Sequence, residues 1–410
     1  IMTTFYVSKS DGTDSSTTPG TLSAPWKTIS YAIDRSSVRD GDTIQVKDGD
    51  YYEVVTIDKE LTIEAYSGHS PSVTGRVDEV SQNSGLPTGI SKTSTSTGTT
   101  ITGVYKGLVQ IKADNVTWDG IDIINGRGEG LQIGDGNNSF DNITIQNCYI
   151  TNHRFRCIQF EGKGNEGIWI SNVTFDNVEA SFAGMICPSK IRDVNWPGLF
   201  SIKGGDTVTV KNSDFYYSWG SCLICDGNGR YSRNITIEDN TFGDGWGTSC
   251  YIHAAQKVVV QRNICYSTKT GRTYFMHSSS YGAAGIVYRG AGIEGAKGDA
   301  GPAKYVKVAN NIIVKCAGAL IASKLVENMY DIQYMNNTVL NCSIGWKGNA
   351  EKVVAPAIIK NNIFTNVDEK TRGNENLWTW DYNCWDSAPT AAAQGSNDQT
   401  DSDPIKDNAW

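Results

Sequence analysis

The chain has 410 residues, including 43 Gly and only 5 Met, and a formal net charge of −8 at pH 7. This charge argues against nucleic acid as the main partner, and no apolar stretch is long enough to cross a bilayer. The ten Cys are spread along a large chain, which excludes a small disulfide scaffold and favours buried thiols. A disulfide bond between Cys222 and Cys250 is an open alternative.

The first 46 residues predict a strand, a short helix and the start of a coil. Phe5-Tyr6-Val7 is a strand, and turn-rich residues follow it. Residues 27–35 place Ile29, Ala32 and Ile33 on one helical face. A short helix here would cap the open edge of whatever follows. Residues 40–46 then begin a new strand.

A recurring stretch organises the remainder of the chain. Residues 143–150 read Ile-Thr-Ile-Gln-Asn-Cys-Tyr-Ile, an alternation of period two that is typical of a half-buried strand. Copies recur about every 25 residues, which predicts a solenoid whose coils each repeat one set of strands. Related copies begin at Val116, Ile168, Val208, Ile235, Val258, Val306, Ile332 and Ala357.

Asparagine falls in register within these copies. One column contains Asn240, Asn263, Asn311, Asn337 and Asn362, and a second column, one position earlier, contains Asn147, Asn172, Asn212, Asn310, Asn336 and Asn361. Asn tolerates a left-handed backbone at a bend, and its amide can bond to the matching amide one coil away. The columns therefore predict asparagine ladders along the solenoid.

The ladder resembles that of right-handed parallel β-helices of the pectate-lyase-like superfamily. The opening of the chain is also similar to carbohydrate-active β-helix proteins, with Gly-Thr-Leu-x-x-Pro-Trp-Lys-Thr-Ile followed by Gly-Asp-Thr-Ile-x-Val-x-x-Gly-x-Tyr. The resemblance implies an all-β, single-stranded right-handed parallel β-helix with an N-terminal capping helix. We expect one domain over 1–410, with strand and cap in 1–40, coils in 41–387 and a tail in 388–410.

A second strand family precedes each Asn-bearing strand, as in Val109-Gln110-Ile111-Lys112. Its first and third positions are apolar and should face inward, whereas the second and fourth should face outward. The fourth position then forms an outward column of Lys112, Gly134, Glu161, Lys203, Asp226, Ala254, Arg289 and Ser323. Its charged centre makes Lys203, Glu161, Asp226 and Arg289 the candidate catalytic residues.

Insertions at 78–105, 179–197 and 267–304 interrupt the repeat, and long loops beside an exposed sheet usually wall a binding site. Aromatic rings can stack on sugars and guanidinium groups can bind carboxylates. The candidate substrate-binding residues are therefore Arg154, Arg156, Trp219, Trp246, His253, Lys112, Tyr274 and Trp196. His253 falls at an inward position in this register, which favours a core role.

Two cleavage chemistries fit the outward column. Lys203 beside carboxylates should stay protonated and could neutralise a uronate, which favours β-elimination on an acidic polysaccharide. Glu161 and Asp226, two coils apart, also approximate the acid and base of an inverting glycosidase. A non-catalytic adhesin or virion spike, using the groove only for binding, is the third interpretation.

Several properties stay open. The catalytic motifs of the polygalacturonases and the calcium cluster of the pectate lyases are missing, so no site residue is carried over from the resemblance. No cofactor is required, although calcium is an option. We expect a polysaccharide partner, no nucleic acid or membrane, a monomer or homotrimer, and an extracellular or virion location. Residues 292–303 suggest a Gly-rich loop, and the aromatics of 377–385 should plug the last coil.

Overall fold

A computed structural model describes residues 2–75, 91–95, 98–102, 107–126, 128–153, 155–183, 198–218, 220–225, 231–245, 248–253, 255–268, 291–298, 301–325, 330–350, 357–373 and 375–401. In these residues the chain winds as a right-handed parallel β-helix, so the predicted fold class is confirmed. Each full coil adds one strand to each of three faces, which we call the front, back and side sheets.

The front sheet contains the strand family that precedes the Asn-bearing strands. Its strands pair in parallel, each with the next coil. They are Val55–Ile57, Gly107–Ile111, Glu129–Ile133, Ile158–Phe160, Phe200–Ile202, Leu223–Cys225, Thr248–His253, Ala291–Gly298, Gly318–Leu325, Ile344–Ala350 and Glu369–Gly373, with Gly301–Pro302 antiparallel to Ala291–Gly298.

The back sheet follows in each coil. It contains Thr4–Val7, Thr43–Val46, Thr62–Ala65, Val116–Asp119, Gly205–Lys211, Ser232–Glu238, Ala255–Gln261, Lys304–Ala309, Tyr330–Met335, Ala357–Lys360 and Thr379–Asp381. Two long strands, Phe140–His153 and Ile170–Ala183, run through the back sheet and continue around the bend into the side sheet.

The side sheet completes each coil with short strands. It contains Asp50–Tyr51, Ser72–Thr74, Asp122–Ile124, Asp214–Ser218, Thr241–Gly243, Ile264–Tyr266, Ile312–Val314, Thr338–Leu340, Ile363–Thr365, Cys384–Trp385 and Gln399–Thr400. The remaining described elements are α1 (Ile29–Asp34), the hairpin Ser91–Thr95 and Gly98–Thr102, and the 3₁₀ turns Gly164–Glu166, Glu375–Leu377 and Ala391–Ala393. No described helix is long and apolar enough to cross a membrane.

The inner asparagine ladder is confirmed and is longer than predicted. Asn240, Asn263, Asn311, Asn337 and Asn362 are buried at the bend between back and side sheets, and Asn383 adds a further rung. The amide nitrogen of each residue donates to the side-chain oxygen of the next, as in the 3.0 Å bond from Asn337 to Asn362. Every rung also satisfies backbone groups, which removes the penalty for burying the amide.

The second asparagine column needs one correction. Asn147, Asn212, Asn310, Asn336 and Asn361 have positive φ at the predicted bend. Asn172 instead shares its column with Asn115 and Asn142, at the entrance to the back sheet, and Asn177 occupies the predicted place. The strand Ile170–Ala183 repeats Asn twice at five-residue spacing, so the sequence alone did not separate the two bends.

Both ends of the solenoid are closed as predicted. Helix α1 buries Ile29, Ala32 and Ile33, and the Thr28 hydroxyl accepts a hydrogen bond from the Tyr31 N–H at its N-terminus. At the other end, Phe364 stacks on Trp385 with ring centroids 4.3 Å apart. Further buried indoles, Trp346, Trp378 and Trp380, fill the space beside them.

Two of the predicted insertions are shorter than expected. Residues 179–183 continue the strand Ile170–Ala183, and Ala291–Gly298 is a front-sheet strand rather than a Gly-rich loop. The bridge between Cys222 and Cys250 is also excluded, because Cys250 pairs in register with Leu223 and both sulfurs are buried as thiols. Cys225 is buried as well, in line with the expected buried thiols.

Candidate active site

Glu161 and Lys203 lie side by side at the outer surface of the front sheet. Each follows directly after its strand, Ile158–Phe160 or Phe200–Ile202, and the register that pairs Ile158 with Phe200 brings them to neighbouring coils. Both side chains are half-buried and lie outside the hydrophobic core. Backbone bonds fix this edge, since the Gly162 N–H donates to the Lys203 carbonyl at 3.1 Å. Lys112 occupies the same outward column three coils earlier.

The prediction that His253 faces the core is wrong, because the strand is shifted by one residue from the predicted register. Cys250 pairs with Leu223 and faces the core, so Tyr251 and His253 face outward. Their rings are nearly parallel, with centroids 5.2 Å apart. A one-residue slip exchanges the two faces of a strand. The alternation Cys-Tyr-Ile-His offers an apolar residue in either register, so the pattern did not fix the face.

The outward column therefore contains an imidazole that the sequence had placed inside. Lys203 and His253 are two coils apart, so their Cα atoms are separated by about 10 Å. Ala254 falls outside the described residues. In the next coil, Ala296 pairs with His253.

Arg156 is not an exposed substrate-binding residue. It is 5% exposed, donates to the Gln159 side-chain oxygen at 2.5 Å, and lies 4.0 Å from the Glu129 carboxylate. Its Nε atom finds no hydrogen-bond partner in the described structure. A guanidinium that is buried and paired in this way is not presented to a polymer.

From the strand Gly107–Ile111 to the strand Phe200–Ile202, the second outward column of the front sheet is also covered. Gln110, Gln132, Gln159 and Ser201 are all buried, although the strand alternation points them outward. The Gln132 amide is satisfied by Gly107 and Gly134, at 3.0 and 3.1 Å. Binding on these four coils is thus limited to the fourth column and the turns beside it.

Sequence reasoning missed one aromatic group beside this column. A short loop follows Glu161, closes through a bridge between Lys163 and Ile168, and leads to Trp169. The Arg233 guanidinium lies 4.3 Å from the centroid of the Trp169 ring and makes two bonds to the Asp206 carboxylate, at 2.9 and 2.7 Å. The signal was a Trp at the end of a turn, directly before the strand Ile170–Ala183.

The remaining predicted site residues cannot be placed. Asp226, Arg289, Arg154, Trp219, Trp246, Tyr274 and Trp196 lie outside the described residues and stay predictions. Among the residues that are described, no group of three His, Cys, Asp or Glu side chains is arranged to hold a metal ion.

Known structures share this architecture at low identity. A polygalacturonase from Erwinia carotovora ssp. carotovora superimposes with a TM-score of 0.57 and 14% identity, over 86% of this chain and 92% of that one. The surface adhesin PfbA of Streptococcus pneumoniae gives 0.50 and 12%, over 90% and 89%.

A GH136 lacto-N-biosidase from Eubacterium ramulus gives 0.50 and 13%, over 97% of this chain but only 66% of that one. No protein-family model matches the chain, and no curated protein matches it. At such identities the likeness shows the fold alone: the chain is a right-handed parallel β-helix.

Proposed function

We propose that the protein binds a polysaccharide along the front sheet and cleaves it by β-elimination at a uronate residue. The observation that carries the proposal is the outward position of His253 in the same column as Lys203. A lyase needs a cation to neutralise the uronate carboxylate and a base to remove the adjacent proton. The column supplies both groups on a rigid sheet.

The residues have separate roles in this reaction. The Lys203 ammonium pairs with the carboxylate and acidifies the proton on the neighbouring carbon. Neutral His253 takes that proton, and the electrons of the C–H bond form the new double bond. The glycosidic C–O bond breaks on the other side, and the leaving oxygen takes a proton from water. Tyr251, stacked beside His253, restricts the orientation of the imidazole ring.

Hydrolysis is the second candidate. Glu161 lies in the same column, and the fold is shared with the polygalacturonase and the lacto-N-biosidase. The predicted partner of Glu161 is Asp226, two coils away, which approximates the carboxylate spacing of an inverting glycosidase. Binding without cleavage would correspond to the adhesin PfbA, which shares the fold as well.

The deciding experiment is a screen on uronate and neutral polysaccharides, with ultraviolet absorbance for unsaturated uronates and reducing ends measured together. Elimination gives both signals on a uronate polymer, hydrolysis gives reducing ends alone, and an adhesin gives neither. His253→Ala should lower kcat at least about 100-fold, and Lys203→Ala should abolish the absorbance signal. Matched controls are His69→Ala and Lys307→Ala, away from the front sheet. A His253→Ala variant that keeps full elimination activity would refute the assignment.

A further inference from the structure

The side sheet carries a cleft that the front-sheet chemistry does not use. Asp122, Tyr149, Glu179 and Asp214 follow one another in an outward column over four consecutive coils. The cleft beside them has a volume of about 480 Å³ and is also lined by Asn147, Asn177 and Asn212. Hydrogen bonds organise it, since the Tyr149 N–H donates to the Asp122 carboxylate at 2.9 Å.

Phenol groups surround the central carboxyl of the cleft. The Tyr216 hydroxyl donates to Glu179, and the Tyr149 hydroxyl lies 3.0 Å from that of Ser181. Tyr266 lies over Gly243, where any Cβ would come within 2.4 Å of its ring. Glycine at that position makes room for the tyrosine.

The pKa of Glu179 is raised, mainly by burial and further by the nearby Asp214 carboxylate. A hydrogen bond from the Tyr149 side chain opposes this increase. Burial also raises the pKa of Asp122, against the bond from the Tyr149 N–H. A raised pKa increases the protonated share of these carboxyls, so they can donate as well as accept hydrogen bonds.

Two stacked aromatic rings lie at the edge of the cleft. Phe182 and Tyr217 have ring centroids 4.8 Å apart and an interplanar angle of 26°. Phe182 is 37% exposed, and Tyr217 packs edge-on against Tyr216, the partner of Glu179. The stack is therefore continuous with the polar cleft.

These two residues also depart from the pattern of their turn. Both have positive φ, of 56° and 60°, at a bend where other coils place Asn125, Asn152, Asp244, Lys315, Asn341 and Asn366. Bulky residues are disfavoured in this conformation, and Asn is favoured. Asn would thus suit the backbone better at both positions, and neither aromatic ring belongs to the hydrophobic core.

The charge of the side chains that line the cleft restricts the class of ligand that it can bind. The described lining of the cleft consists of carboxyl, amide, phenol and apolar groups, without Lys or Arg. Such a surface repels uronates, sulfates and phosphates, but it matches the hydroxyl groups of a neutral sugar. Aromatic faces at the rim suit the apolar face of a pyranose ring.

We propose that this cleft, with Phe182 and Tyr217 at its rim, is a binding site for a neutral, hydroxyl-rich glycan. The site is separate from the front sheet and does not rest on the cleavage reaction. It holds the protein on a neutral polymer while the front sheet engages an acidic chain.

The test is affinity electrophoresis of the full chain in gels that contain xylan, galactomannan, mixed-linkage β-glucan or polygalacturonate. Wild-type protein should be retarded by at least one neutral polymer. The double variant Phe182→Asn, Tyr217→Asn should bind that polymer at least tenfold more weakly. Its thermal midpoint should be equal to or higher than that of the wild type, because Asn suits both turns.

Tyr305→Asn is the matched control. Tyr305 is another tyrosine with positive φ, and it is 51% exposed on a different bend, so its replacement relieves the same strain and should leave binding unchanged. Lys203→Ala should lose cleavage and keep binding to the neutral polymer, which separates the two sites. Three results would overturn the proposal: no retardation by any neutral polymer, full retardation of the double variant, or light scattering in which the double variant turns an oligomer into a monomer.

Discussion

The bend between back and side sheets differs between the two halves of the solenoid. In the N-terminal coils its inward position is held by Ile121, Cys148, Val178 and Ser213, whereas every later coil places a buried Asn there, from Asn240 to Asn383. Outer amides occur at this bend in both halves, and in the earlier coils they bond to each other, as in the 2.9 Å bond between Asn177 and Asn147. One half is fastened by an internal polar ladder, and the other by apolar contact with amides at its surface.

This difference determines which asparagine amides can contact a ligand. Amides that stack inside the solenoid satisfy the backbone and offer nothing to a ligand. Amides on the outer rim of the apolar half, at Asn147, Asn177 and Asn212, line the side-sheet cleft. The outer amides that line the cleft thus belong to coils without an inner Asn rung.

Breaking the inner ladder should have the largest effect on stability. Asn337 is fully buried and bonds to Asn311, Asn362 and the Val308 carbonyl at 3.0 to 3.1 Å. Asn337→Ala leaves several buried groups without partners, and we expect a loss of about 3–5 kcal/mol in the free energy of unfolding. Guanidinium titration measures it.

The neighbouring residue gives the control for this variant. Asn336 is exposed and has positive φ. Asn336→Ala should therefore lose only the preference of Asn for this backbone conformation, which lowers the free energy of unfolding by about 1 kcal/mol. Equal losses in the two variants would show that the ladder amides contribute no more than the bend.

Acid should weaken the apolar half. His153 is buried there, accepts from the Gly126 N–H at 3.1 Å and lies 3.0 Å from the Ile123 carbonyl; burial lowers its pKa to about 4, against the bond to that carbonyl. In the unfolded chain, His153 takes up a proton near pH 6.5, whereas in the folded protein it does so only near pH 4. The stability that the buried neutral imidazole contributes is therefore complete above pH 6.5 and is lost as the pH falls toward 4.

We expect a loss of about 2 kcal/mol between pH 7 and pH 5 from this residue. Guanidinium titrations at the two pH values measure it, and His153→Asn should reduce the difference. The half-buried His69 provides the matched control, His69→Asn, which leaves the contribution of His153 in place. An unchanged slope in His153→Asn would assign the acid sensitivity to other groups.

Extending the ladder into the apolar half should have a smaller, opposite effect. Ser213 already accepts from the Val178 N–H at 3.0 Å, and its own N–H donates to Asn240. Ser213→Asn could add one rung and raise the free energy of unfolding by about 1 kcal/mol. A destabilised variant would mean that the bend is too tightly packed for the amide.

An outer amide should matter least. Asn177→Gly removes the bond to Asn147 but keeps a residue that accepts positive φ. The change in unfolding free energy should stay within about 0.5 kcal/mol. A loss as large as that of Asn337→Ala would remove the distinction between inner and outer ladders.

The repeat made much of the fold predictable, because period-two alternation and an in-register Asn are local signals. The ladder from Asn240 to Asn362 and the terminal aromatic plug followed from it. The face of His253 did not, because Tyr251 and Ile252 suit either side of the strand. The strand Ala291–Gly298 escaped notice since small residues give no alternation.

The side-sheet cleft was also missed. Its strands are short, so Asp122, Glu179 and Asp214 appear in the sequence as isolated charges after a bend. Only the coil-to-coil register unites them.

The aromatic stack of Phe364 and Trp385 has a mechanical consequence. Tension applied to the two termini acts along the solenoid axis and opens hydrogen bonds between coils one after another, as in a zipper. The indoles around Trp346, together with this stack, hold the last coils through ring contacts as well as backbone bonds. When the molecule is pulled while attached to a surface, the inner coils should therefore separate before the C-terminal coils do.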